Sequence, residues 1–108
     1  VMNRTVREAG ANKTVYLWGI FPHLHELGTT FRLERIRGAE QTCLIDVPRW
    51  DFNWQFGYFL ETPIELQPDD IIRLTCHFDS RSRTETTYFG EGTQDEMCLA
   101  PLFVTLEP

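Results

Sequence analysis

The sequence predicts an all-β fold, an antiparallel β-sandwich of jelly-roll type. Short runs rich in β-branched and aromatic residues recur along the chain, turn-forming residues separate them, and no segment of useful length has a helical hydrophobic period. Many short strands joined by turns are typical of two sheets packed face to face. Because 108 residues are enough for one hydrophobic core and hardly for two, we expect a single domain over residues 1–108.

Six segments are predicted to be strands because apolar or aromatic residues fill them or alternate in them. They are residues 14–21, 29–36, 41–47, 55–61, 71–78 and 97–106. Alternation in the fifth segment defines an inward face, made of Ile72, Leu74, Cys76 and Phe78. His77 alternates away from Cys76, so we expect it to face solvent or a neighbouring domain.

The connections between these strands carry turn signals. Glu26 to Gly28 joins the first two strands, and the aromatic stretch from Trp50 to Trp54 forms the turn before the fourth. Pro63 predicts an edge strand or the start of a strand, because proline cannot donate to a sheet ladder. Gln67 to Asp70 predicts a turn, and the polar, glycine-containing residues 79–94 predict a long loop.

The net charge of -6 argues against nucleic acid as a partner, because the basic residues are scattered or interleaved with glutamate. No segment approaches the apolar length that a membrane span needs. The chain starts without the basic, apolar and small-residue series of a signal peptide. We therefore expect a soluble domain, mature or excised from a longer chain, with neither a nucleic-acid nor a membrane partner.

The stretch "IFPHLHELG", residues 20–28, places two histidines one residue apart. On a strand, His23 and His25 project from the same face about 7 Å apart at the backbone, a span that two imidazoles can close onto one ion. A solvated or hydrogen-bonded pair is the alternative. If these two residues bind a metal, zinc is the first candidate, because it is commonly held by imidazoles together with further ligands.

Met97 lies where the predicted loop meets the last strand, in "GEGTQDEMCLA". A methionine in such a place can simply fill a gap in the core. Beside two imidazoles, however, its soft thioether would favour copper over zinc, because sulfur ligands select Cu(I).

Two of the three cysteines bear on the same region. A disulfide between Cys76 and Cys98 would close a loop of about 22 residues and stabilise the fold by about 3 kcal/mol. Two reduced, buried cysteines are the alternative, since a disulfide persists only in an oxidising compartment. Cys43 is expected to be a small buried hydrophobic residue on its strand.

Four stretches carry a resemblance to a known family: "PHLHELGTTFRLERI", "VPRWDFNWQ", "RLTCHFDS" after its Pro-Asp-Asp-Ile turn, and "TTYFGEGTQDEMC". Together they resemble the C-terminal domain of the copper type II, ascorbate-dependent monooxygenases, which include peptidylglycine α-hydroxylating monooxygenase and dopamine β-monooxygenase. The resemblance covers residues 13–105, and its most specific motifs are His-x-His-x-x-Gly and Asp-Glu-Met-Cys. "VPRWDFNWQ" resembles bacterial members more than animal ones.

The resemblance implies that His23, His25 and Met97 bind one catalytic copper ion and that Cys76 and Cys98 form a disulfide. The implied activity is that of a copper-dependent monooxygenase, in which Cu(I) activates dioxygen to hydroxylate a C–H bond of a small organic substrate, with ascorbate as reductant. The family fold is a pair of antiparallel β-sandwich domains, of which this chain would be the second. A secreted or periplasmic location is expected, because the disulfide needs an oxidising compartment.

Three positions depart from the peptide-amidating member of this family. Where that member holds its substrate's carboxylate with an arginine, an asparagine and a tyrosine, this chain has Phe21, Leu99 and Pro101. No charge replaces that anchor. The resemblance therefore implies an apolar substrate and not a peptidylglycine.

The family binds a second copper, which supplies an electron, through three histidines of a preceding domain. This chain has three histidines in all, so only His77 remains beyond the two implied ligands. We expect the isolated chain to bind one copper and to be incomplete without an N-terminal copper domain. Carboxylates often orient ligating imidazoles, and the nearest in sequence are Glu26, Asp95 and Glu96, for which a plain surface charge is the simpler interpretation.

Two other functions remain open from the residues alone. One is a copper-binding module without complete monooxygenase turnover, used for carriage or as a single-copper scaffold. The other is an interaction domain whose aromatic residues Trp50, Phe52 and Trp54 form a binding surface, although packing of these rings in the core is the simpler interpretation.

Overall fold

The computed structural model describes all 108 residues, Val1 to Pro108, and its regular structure is entirely β. Nine strands follow one another along the chain: β1 (Met2–Thr5), β2 (Val15–Ile20), β3 (His23–Leu24), β4 (Gly28–Arg37), β5 (Glu40–Val47), β6 (Tyr58–Leu66), β7 (Ile71–Phe78), β8 (Cys98–Leu99) and β9 (Leu102–Thr105). No helix is long and apolar enough to cross a membrane.

The strands form three antiparallel sheets. One sheet has the order β1-β7-β4-β5, a second has the order β6-β2-β9, and β3 pairs with β8 in a two-stranded ribbon. The two larger sheets share a hydrophobic core, whose fully buried side chains include Leu17, Ile20, Leu24, Phe31 and Leu33. The predicted all-β antiparallel sandwich is confirmed, while the jelly-roll connectivity and the single domain stay predictions.

Alternation along β4 explains which of its side chains enter the core. Phe31 and Leu33 are fully buried, and Arg35, two residues further on, is 8% exposed. The guanidinium of Arg35 is accommodated there because it donates to the carbonyl of Glu65 at 3.1 Å and pairs with Glu40. The strand's period of two therefore sets one whole face of β4 against the interior.

Most of the predicted strands are present, but three boundaries differ. β6 begins at Tyr58 and runs through Pro63, which is tolerated because β6 is an edge strand whose register with β2 shifts at that point. The predicted strand 97–106 is two strands, since Pro101 lies between β8 and β9 and cannot donate to a ladder. The sequence did not predict β1, because its residues are mostly exposed and show no apolar alternation.

Two predicted interior positions are wrong. Cys43 is exposed, because the register between β4 and β5 skips Leu44, which turns into the core and leaves Cys43 on the outer side of an edge strand. Phe78 is 42% exposed, because it ends β7 where the neighbouring loop leaves the sheet.

Candidate metal centre

The β3–β8 ribbon brings together the two histidines and the methionine that the sequence singles out. His23 lies opposite Leu99 and Leu24 lies opposite Cys98, so His25 directly follows and Met97 directly precedes the paired residues of the two strands. The rings of His23 and His25 lie together, and the backbone N–H groups of His25 and Met97 donate to the same carboxylate oxygen of Glu96, so the backbone of Met97 lies beside that of His25. Leu24, between the two histidines, is fully buried in the core.

Both imidazoles are held through their Nδ1 atoms. His25 Nδ1 lies 2.9 Å from the carbonyl oxygen of Asp95, and His23 Nδ1 lies 2.8 Å from the side-chain oxygen of Gln55. Either oxygen can only accept, so each Nδ1 donates and each Nε2 keeps a free lone pair. The orientation of the Gln55 amide is fixed because its nitrogen donates to the carbonyl of Phe52 at 2.9 Å. The two histidine rings stand edge to face with centroids 5.1 Å apart.

This set of donors fits copper. No group of three or more His, Cys, Asp or Glu side chains is placed to hold a metal ion, so a third protein ligand beside the two histidines must be of another type. Met97 is half-buried and its backbone lies beside that of His25, so its thioether is the candidate. Two imidazoles with a soft sulfur suit Cu(I), whereas structural zinc sites are usually closed by thiolates or further imidazoles.

Glu96 ties the two strands of the ribbon together. One carboxylate oxygen accepts the backbone N–H of His25 at 2.9 Å and that of Met97 at 3.2 Å, and the other accepts the N–H of Leu27 at 2.8 Å. Hydrogen bonds to an ionised acceptor are the stronger kind. Glu96 therefore fixes the backbone of His25, a residue that is itself only 5% exposed.

The long loop before Met97 is folded back on itself. The N–H of Glu96 donates to the carbonyl of Tyr88 at 2.9 Å, and Arg83 donates to the carbonyl of Gln94, also at 2.9 Å. These bonds cross the loop, so they hold its last residues in place against the ribbon. The predicted long loop at residues 79–94 thus has an ordered path that ends at Met97.

The aromatic stretch before β6 packs beside the histidines, and its three rings have different roles. Trp50 packs against the core and its ring nitrogen donates to the carbonyl of His25 at 3.3 Å. Phe52 meets the ring of His25 edge to face at 6.1 Å between centroids. Trp54 is 66% exposed. Two of the three rings therefore support the histidine site, and one faces solvent.

Gln55 is the site residue that sequence reasoning missed. It follows His23 by 32 residues, and a single glutamine in a loop carries no pattern that marks it as an imidazole partner. The carboxylates considered for that role act otherwise. Asp95 holds His25 through its backbone carbonyl, and Glu26 lies 3.7 Å from Arg83.

Cys76 and Cys98 form a disulfide, as the resemblance implied, with Cα atoms 6.1 Å apart. The bond joins β7 of the four-stranded sheet to β8 of the ribbon. It therefore fixes the residue next to Met97 to the sandwich. His77, beside Cys76, is exposed on the outer face of its sheet, as expected.

Apolar side chains border the ligand face at its other end. The N–H of Phe21 donates to the carbonyl of Pro101 at 2.9 Å, which continues the register of the ribbon beyond the pair of His23 and Leu99. Phe21 packs edge to face on Phe59 at 5.6 Å between centroids. The three positions that depart from the peptide-amidating enzyme therefore lie together at this end of the histidine face, without a charge among them.

A cavity of about 520 Å³ opens beside Met97. Leu27, Phe78, Tyr88 and Phe89 supply most of its apolar wall. Its volume falls within the range of small-molecule sites, which are mostly apolar clefts with a few polar groups.

The chain is similar to known proteins over most of its length. Residues 3–104 match the family model of the copper type II ascorbate-dependent monooxygenase, C-terminal domain. DBH-like monooxygenase protein 1 of Gallus gallus is 32% identical over 89 residues, which cover 82% of this chain and 14% of that protein. Peptidyl-glycine alpha-amidating monooxygenase A of Xenopus laevis is 34% identical over 86 residues, or 79% of this chain and 9% of that protein. The chain spans less than a fifth of the length of these curated relatives.

Proposed function

The chain belongs to the copper type II, ascorbate-dependent monooxygenase family as its C-terminal domain, and we propose that His23, His25 and Met97 bind its copper ion. Copper is the cofactor of this family and ascorbate its reductant. One observation supports the proposal: the two histidine rings lie together with hydrogen bonds to both Nδ1 atoms, which leave both Nε2 atoms free, and the backbone of Met97 lies beside that of His25.

When bound, copper would supply the activation of dioxygen that C–H hydroxylation requires. The protein's own groups prepare the site for it. The carbonyl of Asp95 and the amide of Gln55 set the tautomer and orientation of the two imidazoles. The thioether of Met97 favours the reduced ion, because soft sulfur prefers Cu(I).

The substrate that this site favours is a small apolar organic molecule. Phe21, Leu99 and Pro101 border the histidine face without a charge, and the cavity beside Met97 has a largely apolar wall. A peptide carboxylate would find no cationic anchor among these residues. Dioxygen would be the co-substrate.

We further propose that the chain works as the second half of a two-copper monooxygenase, with an N-terminal copper domain as its partner. His77, the one histidine outside the ribbon, is exposed on another sheet, and this favours a single copper site per chain. The same observation supports a second candidate function for the isolated chain, a copper-binding module without complete turnover. The disulfide supports a secreted or periplasmic location, where it would persist.

An anaerobic Cu(I) competition titration of Met97→Ala tests the ligand set. We expect one Cu(I) per chain in the parent protein and an affinity at least about tenfold lower in the variant, because a soft ligand is lost. Cu(II) affinity should fall much less. Met2→Ala is the matched control, since Met2 is the other methionine and lies on the exposed strand β1. The site would be ruled out if the parent protein bound no stoichiometric Cu(I), or if Met97→Ala and Met2→Ala bound Cu(I) with equal affinity.

Product analysis separates the two candidate functions. The copper-loaded chain is supplied with ascorbate, oxygen and a set of small apolar substrates, and hydroxylated product is measured beside ascorbate consumption. Coupled formation of product supports the monooxygenase domain. Ascorbate consumption without product, in a chain that binds copper normally, supports the copper-binding module.

A further inference from the structure

Two apolar cavities adjoin in the gap between β1 and the strands β8 and β9. The larger has a volume of about 540 Å³ and the smaller about 360 Å³, and both are lined by Ile72, Ala100 and Leu102. β1 and β9 are edge strands of the two main sheets. The sandwich is therefore open on this side, and core residues such as Leu33 line the opening.

A single charged residue, Arg4, lines the larger cavity, and its other lining residues are apolar. Arg4 lies opposite Ile72 in the β1–β7 pair, as Met2 lies opposite Leu74, so all four share the face that looks into the gap. The guanidinium of Arg4 takes part in none of the protein's ion pairs. An unpaired cation at the edge of an apolar cavity is suited to an amphipathic anion.

We propose that this cavity binds a straight-chain aliphatic carboxylate. The planar guanidinium of Arg4 pairs with the carboxylate, for which its geometry is well matched, and the chain lies between the sheets. The cavity's volume and its apolar lining with one polar anchor are those of a small-molecule site. Ile72, opposite Arg4, and Cys98 both line the cavity. Cys98 is bonded to Cys76, which lies four residues, or about 13 Å, from Ile72 along β7, so the lining extends along the strand away from Arg4.

This site is distinct from the proposed copper ligands. Neither histidine of the ribbon nor Met97 lines the larger cavity, although Cys98 and Leu99 of β8 do. Binding of the carboxylate can therefore be measured on the metal-free protein. The result of that measurement has no bearing on the proposed copper ligands.

Isothermal titration of the metal-free, disulfide-bonded chain with monomeric dodecanoate tests the proposal. We expect one saturable site, and methyl dodecanoate, which lacks the charge, should bind at least about tenfold more weakly. Arg4→Gln should weaken dodecanoate to the level of the ester and leave the ester unchanged. Arg73→Gln is the matched control, because Arg73 lies on the opposite face of the same strand pair, where it donates to Asn3 at 3.0 Å.

Several outcomes would overturn the proposal. Equal affinity for acid and ester would show that the head group is not recognised, and equal losses in the two arginine variants would indicate non-specific attraction. Aggregation of Arg4→Gln without any change in dodecanoate binding would show that Arg4 only protects an edge strand. A dimer in sedimentation that dodecanoate does not dissociate would assign the gap to a second copy of the chain.

Discussion

The two imidazoles of the ribbon are held by partners of different stiffness. His25 is almost fully buried, and its Nδ1 meets a backbone carbonyl whose loop is cross-linked by further hydrogen bonds. His23 is half-buried, and its Nδ1 meets the side chain of Gln55, which extends from an exposed loop. The orientation of His23 therefore depends on one flexible residue, while that of His25 depends on the fold.

Replacing Gln55 by leucine should lower copper affinity about 10- to 100-fold, the usual effect of losing a partner that orients a metal-binding histidine. Removal of the acceptor frees the ring of His23 and its choice of tautomer, so ¹⁵N shifts of the metal-free protein should show a mixture of Nδ1–H and Nε2–H forms for His23 alone. Gln55→Glu keeps the acceptor and should keep the single tautomer.

Gln41→Leu is the control for this change, because Gln41 is exposed on β5, far from the ribbon in the sheet order. A Gln55→Leu protein with unchanged copper affinity and a single His23 tautomer would show that the amide contact has no positioning role.

At the scale of elements, one buried carboxylate fastens the turn between β6 and β7 to β4. Asp70 is 2% exposed and accepts two hydrogen bonds of 2.7 Å from the guanidinium of Arg37 and another of 2.7 Å from the N–H of Gln67. The bonds from Arg37 hold the pKa of Asp70 below its ordinary value of 3.8, although burial acts against them. Because the pKa of Asp70 is lower in the folded state than in the unfolded state, its charge stabilises the fold at pH values above the unfolded pKa. This stabilisation is lost as the pH falls through the folded pKa.

Asp70→Asn should therefore lower the free energy of unfolding at pH 7 by about 2 kcal/mol, because it removes a buried charge that accepts hydrogen bonds from Arg37 and from the N–H of Gln67. The deficit should shrink as the pH is lowered below 3.8, because Asp70 of the unfolded parent then takes up a proton, whereas the folded parent, whose pKa is lower, does so only at lower pH. Urea unfolding at pH 7 and pH 3 measures both effects. Asp69→Asn, at an adjacent carboxylate whose side chain is 88% exposed, should change stability by less than about 0.5 kcal/mol at either pH. A constant deficit across this range would contradict the linkage.

The elements also show what the sequence can and cannot predict. β7 was predicted with its observed bounds, because its apolar residues alternate and a turn signal precedes it. The exposure of Cys43 could not be predicted, because the register between β5 and β4 skips one residue. Beyond that residue, the side chains of β5 point to the opposite face from the one that simple alternation predicts. The histidines and Met97 could be singled out from side-chain chemistry alone. Gln55 could not, since its contact with His23 depends on the path of a loop that no local pattern encodes.

The whole molecule is two sheets with a small ribbon attached, and the ribbon carries the proposed metal site. β3 continues from β2 after two residues and β8 leads into β9, so both connect covalently to the three-stranded sheet. β3 also leads into β4 of the four-stranded sheet after three residues, and the bond between Cys76 and Cys98 adds a second connection to that sheet through β8. The disulfide therefore anchors β8, next to Met97, to the four-stranded sheet.

Breaking this link should affect stability and the metal site together. The disulfide closes a loop of 22 residues in sequence separation, so Cys76→Ala with Cys98→Ala should lower the free energy of unfolding by about 3 kcal/mol. At a denaturant concentration where the double variant is still folded, its Cu(I) affinity should also fall, because Met97 loses a fixed neighbour and must be ordered on binding. Cys43→Ala is the matched control, since Cys43 is exposed and unbridged, and it should change neither quantity. If the double variant loses stability but binds Cu(I) as tightly as the parent, the carboxylate of Glu96 and the loop bonds alone suffice to hold the ribbon.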